Sequence, residues 1–310
     1  MMRKRPLVNA HTHLELGWAA PFRPKSPRPF HLWLRRQMHR NASAMKVDDF
    51  EARQSRGIYE GIRQLIEAGV THVGDVTVSG LSVRPLLESG LGGVVYIELL
   101  GLEDGVDTFM FKRAVEILDQ YRPQEQNGLR IGLSAHATYS VTPQALEMVA
   151  DYCLREEVPF CMHLGESTDA REALHGEGSL YHMPIQQGGR NHPPAPQTSA
   201  VVYLRECGIL ETRPLFIHAI DLTDGELDIL ADHQVKVVHC PRSNTLLKNG
   251  RMPLEKLLAR NIPVALGTES LTAAPSLDVR EEAAVAKKLH VGVVEPELIE
   301  GLLENVKVFE

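Results

Sequence analysis

The chain has 310 residues, 43% hydrophobic and 24% charged, with a formal net charge of −7. That balance belongs to a globular protein able to bury a large core, and without a block of basic or acidic residues it argues against nucleic-acid and membrane-surface partners. The opening MMRKR runs directly into an apolar strand rather than a signal-peptide core, and no apolar run approaches membrane-spanning length. Cys153, Cys161, Cys207 and Cys240 show no CxxC spacing, so reduced, buried thiols in a cytoplasmic protein are expected.

Residues 7–15, LVNAHTHLE, form an apolar run ending in two histidines one residue apart. On a β-strand, His11 and His13 face the same way and can present two imidazoles to one point. A proline-dense stretch, 20–29, reads as a loop, followed by a short helix with Phe30, Trp33, Leu34 and Met38 at helical spacing. These side chains are core by default, although Trp33 follows a candidate metal strand closely enough to serve as a substrate wall. Helix 47–69 carries a stripe of Ile58, Ile62, Leu65 and Ile66, can be capped by Asp48 or Asp49, and stops at Gly69. Strands are then predicted at VTHVGDV, 93–100, 129–138 and 159–165, with helices at about 107–120 and 143–156.

The rhythm breaks at 167–197, a polar segment rich in Gly, Pro, His and Gln that reads as a lid loop. It resumes with helix 198–207, strand 213–220, helix 224–232, strand 235–241, helix 253–260 and strand 262–269, and closes with helices at roughly 277–290 and 295–305. Eight strands in strict alternation predict an α/β architecture of the (β/α)8 TIM barrel kind, a single domain over 1–310. Chemistry is then expected at the C-terminal ends of the strands.

Polar residues gather there. Strand one ends in His11 and His13, strand four in His136, strand five in His163 with Glu166 beyond it, strand six in His218, strand seven in His239 and strand eight in Glu269. One such histidine would usually be a hydrogen-bonded core residue, but many at one barrel end are poorly explained that way. His11, His13, His163 and Glu269 supply the imidazole-plus-carboxylate set that suits one zinc ion, with iron as the alternative. Glu166 is left free to shuttle a proton. No lysine stands near the end of strand four to bridge a second metal, so one divalent ion is expected rather than two. His72 and Asp75 read as structural. His31, His39, His175, His182 and His192 read as mostly solvated, with one or two from the 167–197 lid as candidates to meet substrate, and His239 and Cys240 as packing or as supports behind the ligands rather than ligands.

The strings NAHTHLE, AGVTHVGDV, SAHATYSVTP, MHLGES, FIHAIDLTDGEL, VVHCPRSN and ALGTESL, in that order, resemble the amidohydrolase superfamily, in particular its aminohydrolases of purines, nucleoside derivatives and s-triazines. The resemblance implies a metal-dependent hydrolytic deaminase. It implies that His11, His13 and His163 are ligands, that Glu166 is the general acid/base and that His218 orients the attacking water. It also implies that His136, Arg242, Ser243 and Asn244 lie near the substrate. One departure concerns strand eight, where GTES replaces the family's GTDS, so Glu269 stands where an aspartate would bind metal and take a proton from water. The other is in extent: members of the family usually carry a small β-sandwich built from segments flanking the barrel, and here a TIM barrel with little or no accessory β-sandwich is expected. The expected substrate is a small aminated heterocycle, a 6-aminopurine nucleoside derivative of adenosine or aminodeoxyfutalosine type. Hydrolysis of an amide or C–Cl bond is the alternative, and a non-catalytic ligand-binding barrel disabled at Glu269 is the other. Homo-oligomerisation is left open.

Overall fold

The computed structural model describes residues 5–103, 105–186 and 194–310. Strands β1 (Val8–Thr12), β2 (His72–Thr77), β3 (Gly92–Leu99), β4 (Leu129–Ala137), β5 (Phe160–Leu164), β6 (Leu215–His218), β7 (Lys236–His239) and β8 (Val264–Leu266) pair in sequence order, every pair parallel. A parallel bridge between Thr12 and Glu269 joins the last strand to the first, which closes the (β/α)8 barrel.

The intervening helices are α1 (Phe30–Ala44), α2 (Phe50–Glu67), α3 (Val83–Ser89), α4 (Val106–Tyr121), α5 (Pro143–Glu156), α6 (Thr168–Ala173), α7 (Gly178–Gln186), α8 (Ala200–Glu206), α9 (Asp224–Asp232), α10 (Pro241–Leu246), α11 (Leu254–Ala259), α12 (Val279–Leu289) and α13 (Pro296–Gly301). Several start where a hydroxyl can satisfy an orphan amide. Thr142 caps α5, Ser167 caps α6, Ser199 caps α8, and Thr223 with Glu226 forms a capping box on α9. On α2 the residues facing the barrel are Ile58, Ile62 and Leu65, whereas Ile66, expected in the stripe, is half exposed. Gly69, at φ +79°, turns the chain out of α2.

Two apolar layers follow from the period of two along each strand. Val95, Ile97, Leu133 and Phe160 face outward onto the helices, while Val94, Tyr96, Cys161 and Ile217 pack inside with Val308. The inner set continues to Glu98 on β3 and to His163 on β5, so the alternation that fills the barrel also points polar groups into its mouth. The first and last strands approach closely at that end. A Cβ on Gly267 would lie 2.8 Å from Cβ of His11 and 2.7 Å from the Val238 side chain, so only glycine lets β8 run past β1 here.

Two elements escaped the sequence reading. Both α3 and α10 are short helices, and α10 begins on a proline in what reads as loop. The segment 167–197 is not one structureless lid: α6 and α7 occupy much of it, and residues 187–193, with His192, lie outside the described residues. Phe30 and Trp33 of α1 form an apolar cluster with Leu180 and Met183 of α7 and with Leu247, roofing the barrel mouth. His31 is tied to this roof rather than freely solvated, its Nδ1 lying 2.6 Å from Asp169 Oδ2. Among the described residues no helix is long and apolar enough to cross a membrane.

Candidate metal centre and substrate cavity

His11, His13, His163 and Glu269 converge so that one ligand atom from each lies within 4.8 Å of all the others. His11 Nε2 stands 3.3 Å from Glu269 Oε2, which matches the edge of a tetrahedron, about 3.3 Å for donors some 2.0–2.1 Å from zinc. The backbone enforces the convergence. Glu269 N–H donates to the His11 carbonyl and His13 N–H to the Glu269 carbonyl, both at 3.0 Å, so residue 269 locks the register of the two histidines it faces. Its φ of +63° takes the backbone out of the extended conformation, and the longer glutamate side chain still reaches the cluster. Below β1, Asp75 accepts from Leu14 N–H and Thr12 Oγ, each at 2.9 Å, holding the turn after the histidine pair. That is the structural role expected of it.

Hydrogen bonding decides which ring nitrogens are free. His163 Nδ1 lies 2.9 Å from the His136 carbonyl; a carbonyl only accepts, so Nδ1 carries the hydrogen and Nε2 presents its lone pair to the cluster. His218 Nδ1 is held by Asn244 Oδ1 at 2.9 Å. Among the described residues its buried Nε2 has no hydrogen-bond partner, and it stands 3.4 Å from Glu166 Oε1. Burial lowers the basicity of His11, His13, His163 and His218, and burial with His163 nearby takes His136 down to about 3. Neutral imidazoles are the form that binds metal. Glu166 is driven the other way: burial first, then the neighbouring Glu269 carboxylate, raises its carboxyl well above the usual range, while a 3.1 Å hydrogen bond from Asn249 opposes the shift.

The positive φ at His218 (+76°) and Ala219 (+47°) marks a sharp turn at the end of β6. Consecutive non-glycine residues in this region cost on the order of 1–3 kcal/mol each and persist only where surrounding structure holds them. Here Ala219 N–H bonds Leu164 O, and Ile220 and Asp221 N–H both bond Gly165 O. The same turn lines up His218 with Glu166.

Above the cluster lies a cavity of about 220 Å³. Phe30, Trp33, Leu34, Met38, Leu180 and Met183 supply its apolar wall, and His13, His136, His163, Glu166 and Glu269 its polar end. Trp33 is nearly buried and stacks on Phe30 with centroids 5.9 Å apart. Two further carboxyl groups line the cavity, Glu15 and Glu98, and neither was singled out from the sequence. Glu98 had a signal: it is the one charged residue in the otherwise apolar run of β3. Its carboxyl is raised by burial and then by Glu15 and Glu269.

The residues after strand seven divide. Asn244 acts on the site through His218. Ser243 is buried with an unpartnered hydroxyl and does not line the cavity. Arg242, expected near substrate, instead turns away: its guanidinium bonds Glu282 Oε1 at 2.5 Å, Glu281 and the Ser276 carbonyl at 2.9 Å, and it is absent from the cavity wall. The reason is the fully buried Glu282 on α12, whose carboxyl burial pushes up to about 7 against the pull of Arg242. Replacing Arg242 by methionine is therefore expected to destabilise the fold by about 3–5 kcal/mol, because it strands a buried charge, while KM of the remaining folded enzyme stays within about twofold, since no substrate contact is lost. Urea unfolding and steady-state kinetics read the two effects separately. His239, as expected, is packing: it faces outward, its Nε2 3.1 Å from His290 Nε2.

An eight-stranded βα barrel with three imidazoles and a carboxylate gathered at its C-terminal mouth has the architecture of a metal-dependent hydrolase. The model described as Amidohydrolase family matches residues 7–300, and the chain belongs to that family. It is 31% identical over 300 residues to an aminodeoxyfutalosine deaminase of Deinococcus radiodurans, covering 93% of this chain and 68% of the relative. It is 26% identical over 288 residues to a 5-methylthioadenosine/S-adenosylhomocysteine deaminase of Dictyoglomus thermophilum, covering 93% and 62%. The chain thus spans about two thirds of the length of these relatives. The fold is shared with a zinc-bound adenosine deaminase of Xanthomonas campestris (TM-score 0.78, 22% identity, 98% of this chain and 66% of that one). It is shared also with a Helicobacter pylori aminofutalosine deaminase in complex with methylthio-coformycin (TM-score 0.80, 20% identity, 96% and 70%).

Proposed function

We propose that the chain is a zinc-dependent hydrolytic deaminase of a 6-aminopurine nucleoside derivative, of adenosine or aminodeoxyfutalosine type. The observation that carries this reading is the placement of Glu166, a buried carboxyl 3.4 Å from His218, in the wall of the same cavity that holds the four-ligand cluster. The names of the deaminase relatives support the substrate class. His11, His13 and His163 would hold the ion through ring nitrogens and Glu269 through its carboxylate. A divalent ion there supplies Lewis acidity and lowers the pKa of water at the site.

The remaining work falls to this chain's side chains. Glu166, positioned by Asn249, gives its proton to a ring nitrogen and makes the amino-bearing carbon electrophilic. His218, its Nδ1 fixed by Asn244, offers Nε2 as an acceptor that orients the incoming water. Glu269 takes one water proton and returns it to the departing ammonia, and the proton of the new hydroxyl, released as the tetrahedral carbon collapses to the oxo product, goes back to Glu166. His136 has Nδ1 2.7 Å from Ser140 Oγ, a hydroxyl already committed to the Ala137 carbonyl, so its Nε2 is an acceptor facing the substrate. Trp33 and the α1–α7 roof exclude water. The four buried free cysteines support a cytoplasmic setting.

The test is metal analysis followed by ammonia release from the zinc-loaded protein with adenosine, 5′-deoxyadenosine, 5′-methylthioadenosine and aminodeoxyfutalosine, and with a chloro-s-triazine as the competing chemistry. Ammonia from the purine set is expected. A metal-replete protein that releases none overturns the reading. The Glu269→Asp variant sharpens it: since the glutamate already reaches the cluster, shortening it by a methylene withdraws the carboxylate beyond the roughly 0.5 Å that a site tolerates. The variant is expected to hold zinc more weakly, read by competition with a chromophoric chelator.

A further inference from the structure

The two carboxyl groups in the cavity wall that the reaction does not use are unequal. Glu15 is saturated: it accepts from Thr77 Oγ at 2.7 Å, Val78 N–H at 2.9 Å, Ser79 N–H at 3.0 Å and Ser79 Oγ at 2.6 Å. Its role is to brace the end of β2 against β1. Glu98 is at least as buried, yet among the described residues it receives only a long hydrogen bond, 3.5 Å from Ser134 Oγ. It sits in the cavity wall with a carboxyl oxygen within 4.8 Å of ring nitrogens of both His136 and His163. A second metal position does not account for it. His163 Nδ1 is committed to the His136 carbonyl, so the nitrogen that Glu98 and His136 would need is the one already turned to the four-ligand cluster.

A carboxyl group carrying one hydrogen offers a donor and an acceptor side by side. The edge of a 6-aminopurine beyond its amino group offers the complement, N6–H as donor and N7 as acceptor, the pair that a side-chain amide reads on adenine. With Glu166 serving the N1 side of the amino-bearing carbon, the N7 side is left for another group of the same cavity wall, and Glu98 is the carboxyl there that lies beside His163 of the cluster. We propose, resting on the aminopurine reading above, that Glu98 is a specificity-determining residue that pairs with the N6–H/N7 edge of the substrate. The oxo product presents two acceptors there, so the same contact discriminates against it.

The experiment compares zinc-loaded wild type, Glu98→Gln and Glu98→Leu with adenosine and with 7-deazaadenosine, which lacks the N7 acceptor, after circular dichroism and metal analysis of each variant. Wild type is expected to favour adenosine by about tenfold in kcat/KM, the scale of one bidentate contact. Glu98→Gln keeps the donor and acceptor pattern and should keep the preference, whereas Glu98→Leu should bring the ratio close to one. A purely structural role would lower both substrates together. A folded, metal-replete leucine variant with the wild-type ratio overturns the assignment, as does a wild type indifferent to N7. Calorimetric dissociation constants for the two nucleosides need no turnover. If wild type deaminates neither, the aminopurine reading fails while the binding ratio still tests Glu98; if it also binds neither, both fall.

Discussion

Glu166→Gln is expected to lower kcat by about 10²–10⁴-fold, the usual contribution of a positioned general acid/base, with KM and metal content close to wild type. Glutamine keeps the volume of the side chain and the oxygen that accepts from Asn249 Nδ2 but has no proton to give. Selectivity of the effect is the point. Glu166 lines the cavity yet stands outside the four-ligand group, so its loss should silence turnover without emptying the centre. The pH profile carries a second signature. Burial and the Glu269 carboxylate hold the Glu166 carboxyl above its ordinary range, so the proton is retained into neutral solution and activity should fall as pH rises past that raised value. The glutamine variant's residual activity should lack that limb. Loss of metal from Glu166→Gln, or an unchanged kcat, would remove Glu166 from the proton-transfer role.

Removing a ligand should act in the opposite order. His163→Ala is expected to reduce metal affinity by well over the roughly 10–100-fold that loss of a mere supporting partner costs, and activity with it. His163 is the hub of the cluster: its ring stacks on His13 at 5.5 Å and on His218 at 5.6 Å and meets the edge of His11 at 5.1 Å. Deleting it leaves only His11, His13 and Glu269 of the four-ligand group, without the ring that orders the other two. Chelation of the wild type should give the same inactive state, reversed by added zinc in the wild type but not in the variant. Circular dichroism alongside metal analysis before and after dialysis distinguishes this from misfolding. A variant that keeps a full equivalent of metal would show that the imidazole of residue 163 is dispensable to the centre.

The local pattern reached a long way because the barrel repeats one rule. Each short apolar run rich in β-branched residues and alternating with a helical pattern reads as a strand buried on both faces, and in a barrel a polar residue at its C-terminal end is placed at the mouth. His11, His13, His163, Glu166, His218 and Glu269 are legible on that basis. Arg242 is not. It is the second residue of α10, just past the end of β7, where one residue of register decides whether a side chain faces the cavity or the helical layer, and the attraction that turns it outward comes from Glu282, forty positions later. Glu98 was missed for the converse reason: it looked like one charge in an apolar strand, and only its neighbours across β4 and β5 show that it opens into the cavity.

Residue order alone thus determined the eight βα units, the inward phase of each strand and the chemical types at the strand ends, because those depend on periodicities of two and 3.6 residues that any short window contains. Closure of the barrel determined the rest. It brought residue 269 against residues 11 and 13, selected which nitrogen of each imidazole is free and withdrew Arg242. It also left Glu98 facing the cavity with a single long hydrogen bond. Contacts between residues tens or hundreds of positions apart have no imprint in a window of sequence, and at this site they set the chemistry.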